Sequence, residues 1–397
     1  MGDTILLFES RDLCYESNQY FMECMAEAFE KQGFPVQICD LSAGMEEKLE
    51  GILEKREQFL AAIDFNSLLP RLEIEDGIPY ITALGVPFFN YLVDHPLYHH
   101  TGIKRSFPGY SVICIDICHK RYIEEYYPHI ERVFYLPLGA MKADMERSSG
   151  QKRLELLFLG TYESEQTLYL EIADYPKQHR QELLALIEMM DADPELTQEA
   201  ALARYLLDQG KEVSREVFAQ KMNEDYLADK YLRNLKRREA VLAAAAAGVP
   251  FTIMGHGWEQ FGDIWGKHVT VRTGIGFAAA VQMMANARML LNVTPGFHGG
   301  LHDRVYSAMI NQAVCFTEDG RFTREQLADG VDAVLYDSKD MGALTEKIRN
   351  LYEHPGRLER IAKSAYQKAD RRDTWMKRVE MLTAGFFSPN LAGDRII

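Results

Sequence analysis

His298, Gly299, Gly300, His302 and Arg304 fall within seven consecutive residues. They follow an apolar run at 288–293 and precede a helical pattern that reaches Met309. The order reads as strand, glycine-bearing loop, helix start. The first turn of a helix leaves backbone N–H groups unpaired and carries a partial positive charge, so it attracts anions. Glycines let the backbone come close to a ligand. An arginine adds a permanent, planar cation that can grip two oxygens of one phosphate. His298 and His302 can donate to phosphate or stand beside a reacting centre. The constellation suits a ligand that carries phosphate. Asp303, just ahead of the helical pattern, is read as its N-cap.

Other stretches could also carry chemistry. Gly255-His256-Gly257-Trp258 follows the apolar run 251–254, and its glycines again imply close backbone approach. Trp258 either packs on a ligand ring or closes the domain core. Gly274-Ile275-Gly276-Phe277-Ala278-Ala279 has the form of a dinucleotide fingerprint. It lies on a later strand of its unit, and no carboxylate stands roughly 20 positions on, so it argues against a nicotinamide cofactor. In the N-terminal half, Asp94-His95-Pro96 follows the run 88–93. A carboxylate beside a histidine at a strand end can serve as general base, and aspartate and proline also make turns. Asn66 ends the run 61–65 and can hydrogen-bond a sugar or peptide; Arg11 and Asp12 follow the first run. Asp191-Ala192-Asp193 has a metal-binding form but sits in a helical region, so it reads as a solvated helix end. There is no Walker loop, no His-Glu-x-x-His and no Gly-x-Ser-x-Gly motif, and nothing in the pattern requires a metal or a cofactor.

These residues need strands and helices to position them. Short apolar runs at 5–8, 36–39, 61–65, 88–93, 111–116 and 133–136 alternate with helical patterns such as 20–32 and 45–58. A second series of runs covers 154–159, 251–254, 268–272, 288–293, 313–317 and 333–336. Alternation of this kind predicts α/β architecture, with two Rossmann-like, doubly wound domains built on parallel sheets. The expected domains are 1–150 and 151–372, with a terminal helical segment at 373–397 packing back towards the first. Ligands of such sheets bind at the carboxyl ends of strands, so a cleft between two facing domains is the expected site. A helical insertion at about 175–247 interrupts the second domain. It either packs beside the sheet or forms a lid or partner-binding arm.

The bulk composition narrows the function. With 397 residues the chain can bury two cores. Its net charge of -15 argues against broad binding to nucleic acid or to anionic membranes, though not against a local basic pocket. Cys14, Cys24, Cys39, Cys114, Cys118 and Cys315 mostly lie in apolar runs and read as reduced, buried thiols. No apolar run approaches the roughly 20 residues of a membrane span. The first residues lack the pattern of a signal peptide. A cytoplasmic location is expected.

Taken together, the motifs resemble those of the GT-B glycosyltransferases, in particular the spore-maturation-protein-like group with a C-terminal group-1-type module. The resemblance covers roughly 250 to 385. It rests on Gly255-His256-Gly257-Trp258, on His302-Asp303-Arg304-Val305-Tyr306-Ser307-Ala308-Met309, on Ala313 to Asp319, on Val334-Leu335-Tyr336-Asp337, and on Asp373-Thr374-Trp375 with Arg378. The N-terminal half matches more loosely, through Asp64-Phe65-Asn66 and Val93-Asp94-His95-Pro96. The resemblance implies a C-terminal domain that holds a nucleotide-sugar donor, and an N-terminal domain that holds a glycan, lipid-linked glycan or protein acceptor. Gly160, Thr161, Gly255, His256, Trp258, Gly274, Gly299, Gly300, His302, Arg304 and Tyr306 would then line the donor side. Asp94, His95 and His298 would be catalytic, and Asn66 and Asp12 would face the acceptor. Five positions depart from the family. Asp373 replaces a histidine, Gly299 and Ser307 stand where many retaining members carry glutamates, and Asn311-Gln312 replaces a small-residue-glycine pair.

The implied chemistry is metal-independent transfer, in which fixed donors and a cation stabilise the departing diphosphate. Two other functions fit the same fold. The missing glutamates favour a degenerate nucleotide-sugar-binding module without turnover. A nucleotide-sugar epimerase is the other.

Overall fold

A computed structural model describes residues 2–9, 17–74, 77–145, 147 and 149–387. The chain forms two compact units. The first comprises Met1–Gly139, Ser214–Asn223 and Thr374–Ile397, and the second comprises Ala140–Val213 and Glu224–Asp373.

In the first unit the strands are β1 (Thr4–Glu9), β2 (Val36–Asp40), β3 (Phe59–Phe65), β4 (Phe88–Leu92), β5 (Tyr110–Cys114) and β6 (Arg132–Tyr135). They form one sheet in the order β2-β1-β3-β4-β5-β6, and every pairing is parallel. β4 and β5 are buried along their whole length, as strands covered by helices on both faces must be. The edge strand β2 is largely exposed. The order reverses between β1 and β3, so this is the switch point of the first sheet.

The second unit holds β7 (Leu154–Leu159), β8 (Phe251–Met254), β9 (Val269–Arg272), β10 (Ala287–Leu291), β11 (Val314–Glu318) and β12 (Val334–Tyr336). Their order is β12-β11-β10-β7-β8-β9, again parallel throughout. In chain order this is the dinucleotide-domain winding, with its switch point between β7 and β10. Leu156, Phe158, Phe251, Ile253, Met289 and Leu291 alternate along neighbouring strands to build one face of the core. The long crossover helix Tyr226–Ala246 covers that face through Ala240, Val241, Ala243 and Ala244.

The insertion between β7 and β8 is entirely helical in its regular parts: Glu165–Ala173, Lys177–Ala192, Gln198–Asp208, Arg215–Glu224 and then the crossover helix. Asp191 ends one of these helices and pairs with Lys236 at 2.6 Å, as a surface helix end does. The segment Ser214–Asn223 belongs to the first unit: Phe218 stacks on Tyr126 at 4.5 Å, and Asn223 Nδ2 donates to the Leu97 carbonyl at 2.7 Å. The last helix, Trp375–Phe387, also belongs there. Trp375 fills the place a side chain at Gly139 would need, since a Cβ there would lie 2.5 Å from its ring. Among the described residues no helix is long and apolar enough to cross a membrane.

Candidate functional site

The second sheet's switch point is bordered by the segments that follow β7 and β10. β7 ends at Leu159, so Gly160 and Thr161 leave the sheet there. β10 ends at Leu291 and runs through Asn292 into the glycine loop and the helix Asp303–Ile310. Asn292 is fully buried and locks the loop base. Its amide donates to the Thr294 and Thr317 hydroxyls at 3.1 and 3.0 Å, and its carbonyl accepts from the Tyr336 hydroxyl at 3.0 Å. The Thr294 N–H donates to Glu318 Oε1, at the end of β11, at 2.8 Å.

The half-buried Arg304 lies over this base. Its guanidinium sits 3.5 Å from Asn292 Oδ1 and 3.4 Å from His302 Nε2, both neutral groups. Among the described residues no carboxylate lies within ion-pair distance of it. Burial lowers its pKa, opposed by the charges of Asp303 and Glu318.

A second cation, Arg237, comes from the crossover helix. Its Nη1 donates to the Thr161 carbonyl at 3.1 Å, and its buried Nε has no hydrogen-bond partner among the described residues. Burial, then the charges of Arg233 and Arg304, bring it down to about 9. An arginine still keeps its proton at neutral pH, so these repelling cations are set to gain from an added anion. The sequence reading does not single out Arg237, which lies within the helical insertion. The available signal was Arg233 and Arg237 four apart on one helical face.

His302, not Asp303, caps the helix. Its backbone is extended and its Nδ1 accepts from the Arg304 N–H at 3.3 Å, so the ring performs the task expected of the aspartate. Asp303 takes the first helical position, 2.5 Å from the same nitrogen. One nitrogen cannot accept from Arg304 and donate to Asp303 at once, so the cap belongs to the state with Nδ1 unprotonated. Burial, then Arg304, hold the His302 pKa below its ordinary value. For Asp303 burial acts upwards, but His302 and Arg304 prevail and lower it.

Other expected site residues, catalytic His298 among them, stand elsewhere. His298 turns towards the insertion, with Nε2 3.2 Å from the Pro194 carbonyl. Gly299 and Gly300 are buried within the loop, and Tyr306 is buried on its helix. Gly255 and Gly257 do permit close approach, but to the protein's own backbone. A Cβ at Gly255 would lie 2.1 Å from the Gly160 carbonyl, and one at Gly257 would lie 1.9 Å from that of Tyr162. Trp258 closes the core beneath them: it is wholly buried, packs on Phe158 and Tyr162, and donates its indole N–H to Gly160 at 2.7 Å. His256 lies against Gly274, where a Cβ would be 2.9 Å from Nε2, so these two meet on the far side of β7 from Arg304.

The first unit gathers its own polar cluster at the ends of β3 and β4. Asn66 and Ser67 both have positive φ, 55° and 62°, a costly conformation for residues with side chains. Hydrogen bonds hold it. Asn66 Oδ1 accepts from the Val93 N–H at 3.0 Å and its amide donates to Asp94 at 3.2 Å. Buried Asn90 accepts from the Ser67 N–H at 3.0 Å and donates to its hydroxyl at 2.7 Å. His95 Nδ1 accepts from the Leu97 N–H at 3.0 Å, which places the ring proton on Nε2 in the neutral form. The ring faces His119 at 4.5 Å and Tyr122 at 5.3 Å. Burial pulls nearby His99 down to about 4, against the charge of Asp94. Asn66, Asp94 and His95 therefore do converge. Asp12, and Arg11 beside it, lie outside the described residues.

Comparison with known proteins bears on this geometry. Residues 231–384 match a family model described as glycosyl transferase-like. No curated protein matches the chain. Among solved structures, Anabaena HepE in complex with UDP and glucose is 10% identical, with a TM-score of 0.54 over 96% of this chain and 98% of that one. A sucrose-phosphate synthase from Thermosynechococcus elongatus is 9% identical, with a TM-score of 0.56 over 96% and 98%. AviGT4, a glycosyltransferase involved in avilamycin A biosynthesis, is 12% identical, with a TM-score of 0.52 over 96% of each chain. At such identities the likeness shows the fold: the two parallel α/β sheets are those of GT-B glycosyltransferases. The residues that match the glycosyl transferase-like model, 231–384, include both Arg237 and Arg304.

Proposed function

We propose that the chain is a glycosyltransferase that moves a sugar from a nucleotide-diphosphate donor to an acceptor hydroxyl, with arginines in place of a metal ion. The observation that carries this reading is the pair Arg304 and Arg237, half-buried at the switch point of the second sheet before the N-terminus of Asp303–Ile310. The diphosphate bridges these cations beside the positive end of the helix dipole. When the glycosidic bond breaks, negative charge builds on the departing phosphate, and fixed cations in a partly desolvated site stabilise it without reorganising. HepE is bound to UDP and glucose, which makes UDP-sugars the first donors to try.

The acceptor, a glycan, a lipid-linked glycan or a protein, is assigned to the first unit. Asp94 is the better base there. The neutral His95 tautomer that caps its turn keeps a proton on Nε2 and can only donate from it. The carboxylate of Asp94 can accept the hydroxyl proton directly.

A second reading, donor binding without turnover, is favoured by Ser307. It stands where many retaining enzymes carry a glutamate, and its hydroxyl accepts from the Met141 N–H at 3.1 Å. Incubation with UDP-, GDP-, dTDP- and CMP-sugars and mixed glycan, lipid and protein acceptors decides between them. Sugar transfer from one donor class supports the enzyme. Binding of a donor with neither transfer nor slow hydrolysis supports the second reading, and absence of donor binding removes both.

A further inference from the structure

The second unit has a cavity of about 410 Å³ at the opposite ends of its strands from Arg304. Its floor is laid by Lys152 before β7, Arg288 at the start of β10 and Gln312 before β11. One wall is the helix Pro355–Arg372, which presents Glu359, Lys363 and Tyr366 from one face. The volume lies within the usual range for small-molecule sites, roughly 300–1,000 Å³.

The charges there are unusual for so acidic a chain. The Lys152 ammonium spends its three N–H bonds on neutral carbonyls: Ala287 at 2.9 Å, Asn311 at 2.7 Å and Gln312 at 2.8 Å. It ties three strand ends together but meets no carboxylate among the described residues. Burial, then the neighbouring charge of Arg288, push it down to about 7. Arg288 pairs with Glu155 at 2.9 Å through Nη1, while its buried Nε has no partner. Lys363 stands on the rim, and Lys142 lies 5.8 Å from the Tyr366 ring centre. Against these cations the cavity lining offers one carboxylate, Glu359.

We propose that this cavity is a second anion site, separate from the donor site, that takes a compact multivalent oxyanion: a phosphate monoester or a small polycarboxylate. Such an anion pairs with Lys363, meets the Arg288 Nε that Glu155 leaves unbonded, offsets the repulsion between Lys152 and Arg288, and accepts from the Tyr366 hydroxyl. A neutral sugar would leave Lys363 without a counter-charge among the described residues.

The test is a binding titration at low ionic strength on the full chain, with inorganic phosphate in one arm and citrate in the other. Wild type, Arg304→Ala, Lys363→Glu and Arg288→Gln are compared. The expected result is a saturable site for phosphate, citrate or both that is retained in Arg304→Ala and weakened at least about tenfold by Lys363→Glu and by Arg288→Gln. Phosphate alone identifies a phosphoryl ligand, and citrate alone a carboxylate ligand. Because Lys363 is exposed, its variant keeps the fold, so unaltered binding in folded Lys363→Glu overturns the proposal. Loss of binding in Arg304→Ala alone, or no saturable binding of either anion, overturns it as well.

Discussion

Removing Arg304 separates its electrostatic role from any structural one. Among the described residues its guanidinium donates weakly to Asn292 Oδ1 at 3.5 Å and lies 3.4 Å from His302 Nε2, which accepts only when the ring proton sits on Nδ1. Arg304→Ala therefore forfeits less than about 1 kcal/mol of folding stability. It also relieves the repulsion that Arg304 exerts on Arg237. The melting temperature should move by no more than about 4 °C. The effect on the donor is larger. A hydrogen bond to a charged group contributes about 1.5–3 kcal/mol, and each 1.4 kcal/mol is tenfold, so UDP affinity should fall roughly 10- to 150-fold. Arg304→Lys keeps the charge but loses the planar fork, so its affinity should fall between the two. Calorimetric titration with UDP and UDP-sugars measures this directly. The reasoning is refuted if a folded Arg304→Ala binds UDP as tightly as wild type. It is also refuted if lysine does no better than alanine while Arg237→Ala abolishes binding, since the anchoring charge would then lie on the crossover helix alone.

Three further outcomes are expected. Asp94→Asn should lower the transfer rate about 10²- to 10⁴-fold in initial-rate assays while UDP affinity stays unchanged; an unaltered rate would move the base elsewhere. Gly257→Ala must hold φ at 87° and bring a methyl to 1.9 Å from the Tyr162 carbonyl, so it should cost about 3 kcal/mol, a fall of roughly 6–12 °C by calorimetry. Burial raises Glu318 from 4.5 to about 7, so the folded state holds a proton there that the unfolded state releases, and stability drains away as pH rises through that interval; Glu318→Gln should flatten this part of the profile in urea melts and be more stable than wild type at pH 8, and an unchanged slope would place the proton uptake on another group.

The strands were legible because a parallel sheet covered on both faces demands short, continuous apolar runs. The runs at 154–159 and 251–254 coincide with β7 and β8, and the other ten differ only by a few end residues. The loop chemistry was legible in part. A glycine signals close approach but not to what: Gly255 and Gly257 make room for the chain itself, whereas Arg304 stands over a buried asparagine with no ion pair among the described residues. Arg237 was hidden because 75 residues separate it from its partner Thr161, since 237 less 161 is 76 and the residues between number one fewer. Nothing local marks a helical arginine as facing a strand end. His302 as a cap was hidden for a different reason, since imidazole is an uncommon acceptor at a helix start while the adjacent aspartate fits the usual preference.

The family departures have a common structural meaning. Ser307 accepts from the Met141 N–H, and Asn311 accepts from the Ala143 N–H at 2.9 Å while donating to the Met141 carbonyl at 2.7 Å. Both lie on or just after the helix Asp303–Ile310, four residues apart, so one helical face grips the backbone of 141–143. A glutamate at 307 would bring an anionic side chain into a wholly buried position that now suits a small hydroxyl. This face is therefore committed to holding the chain, and on the proposed reading transition-state stabilisation falls to the other end of the helix, where Arg304 lies. An enzyme built so depends on cations at the leaving group rather than on a carboxylate beside the sugar. Its transfer rate should then track Arg304 and Arg237 together, and restoring a glutamate at 307 should damage the fold without raising activity.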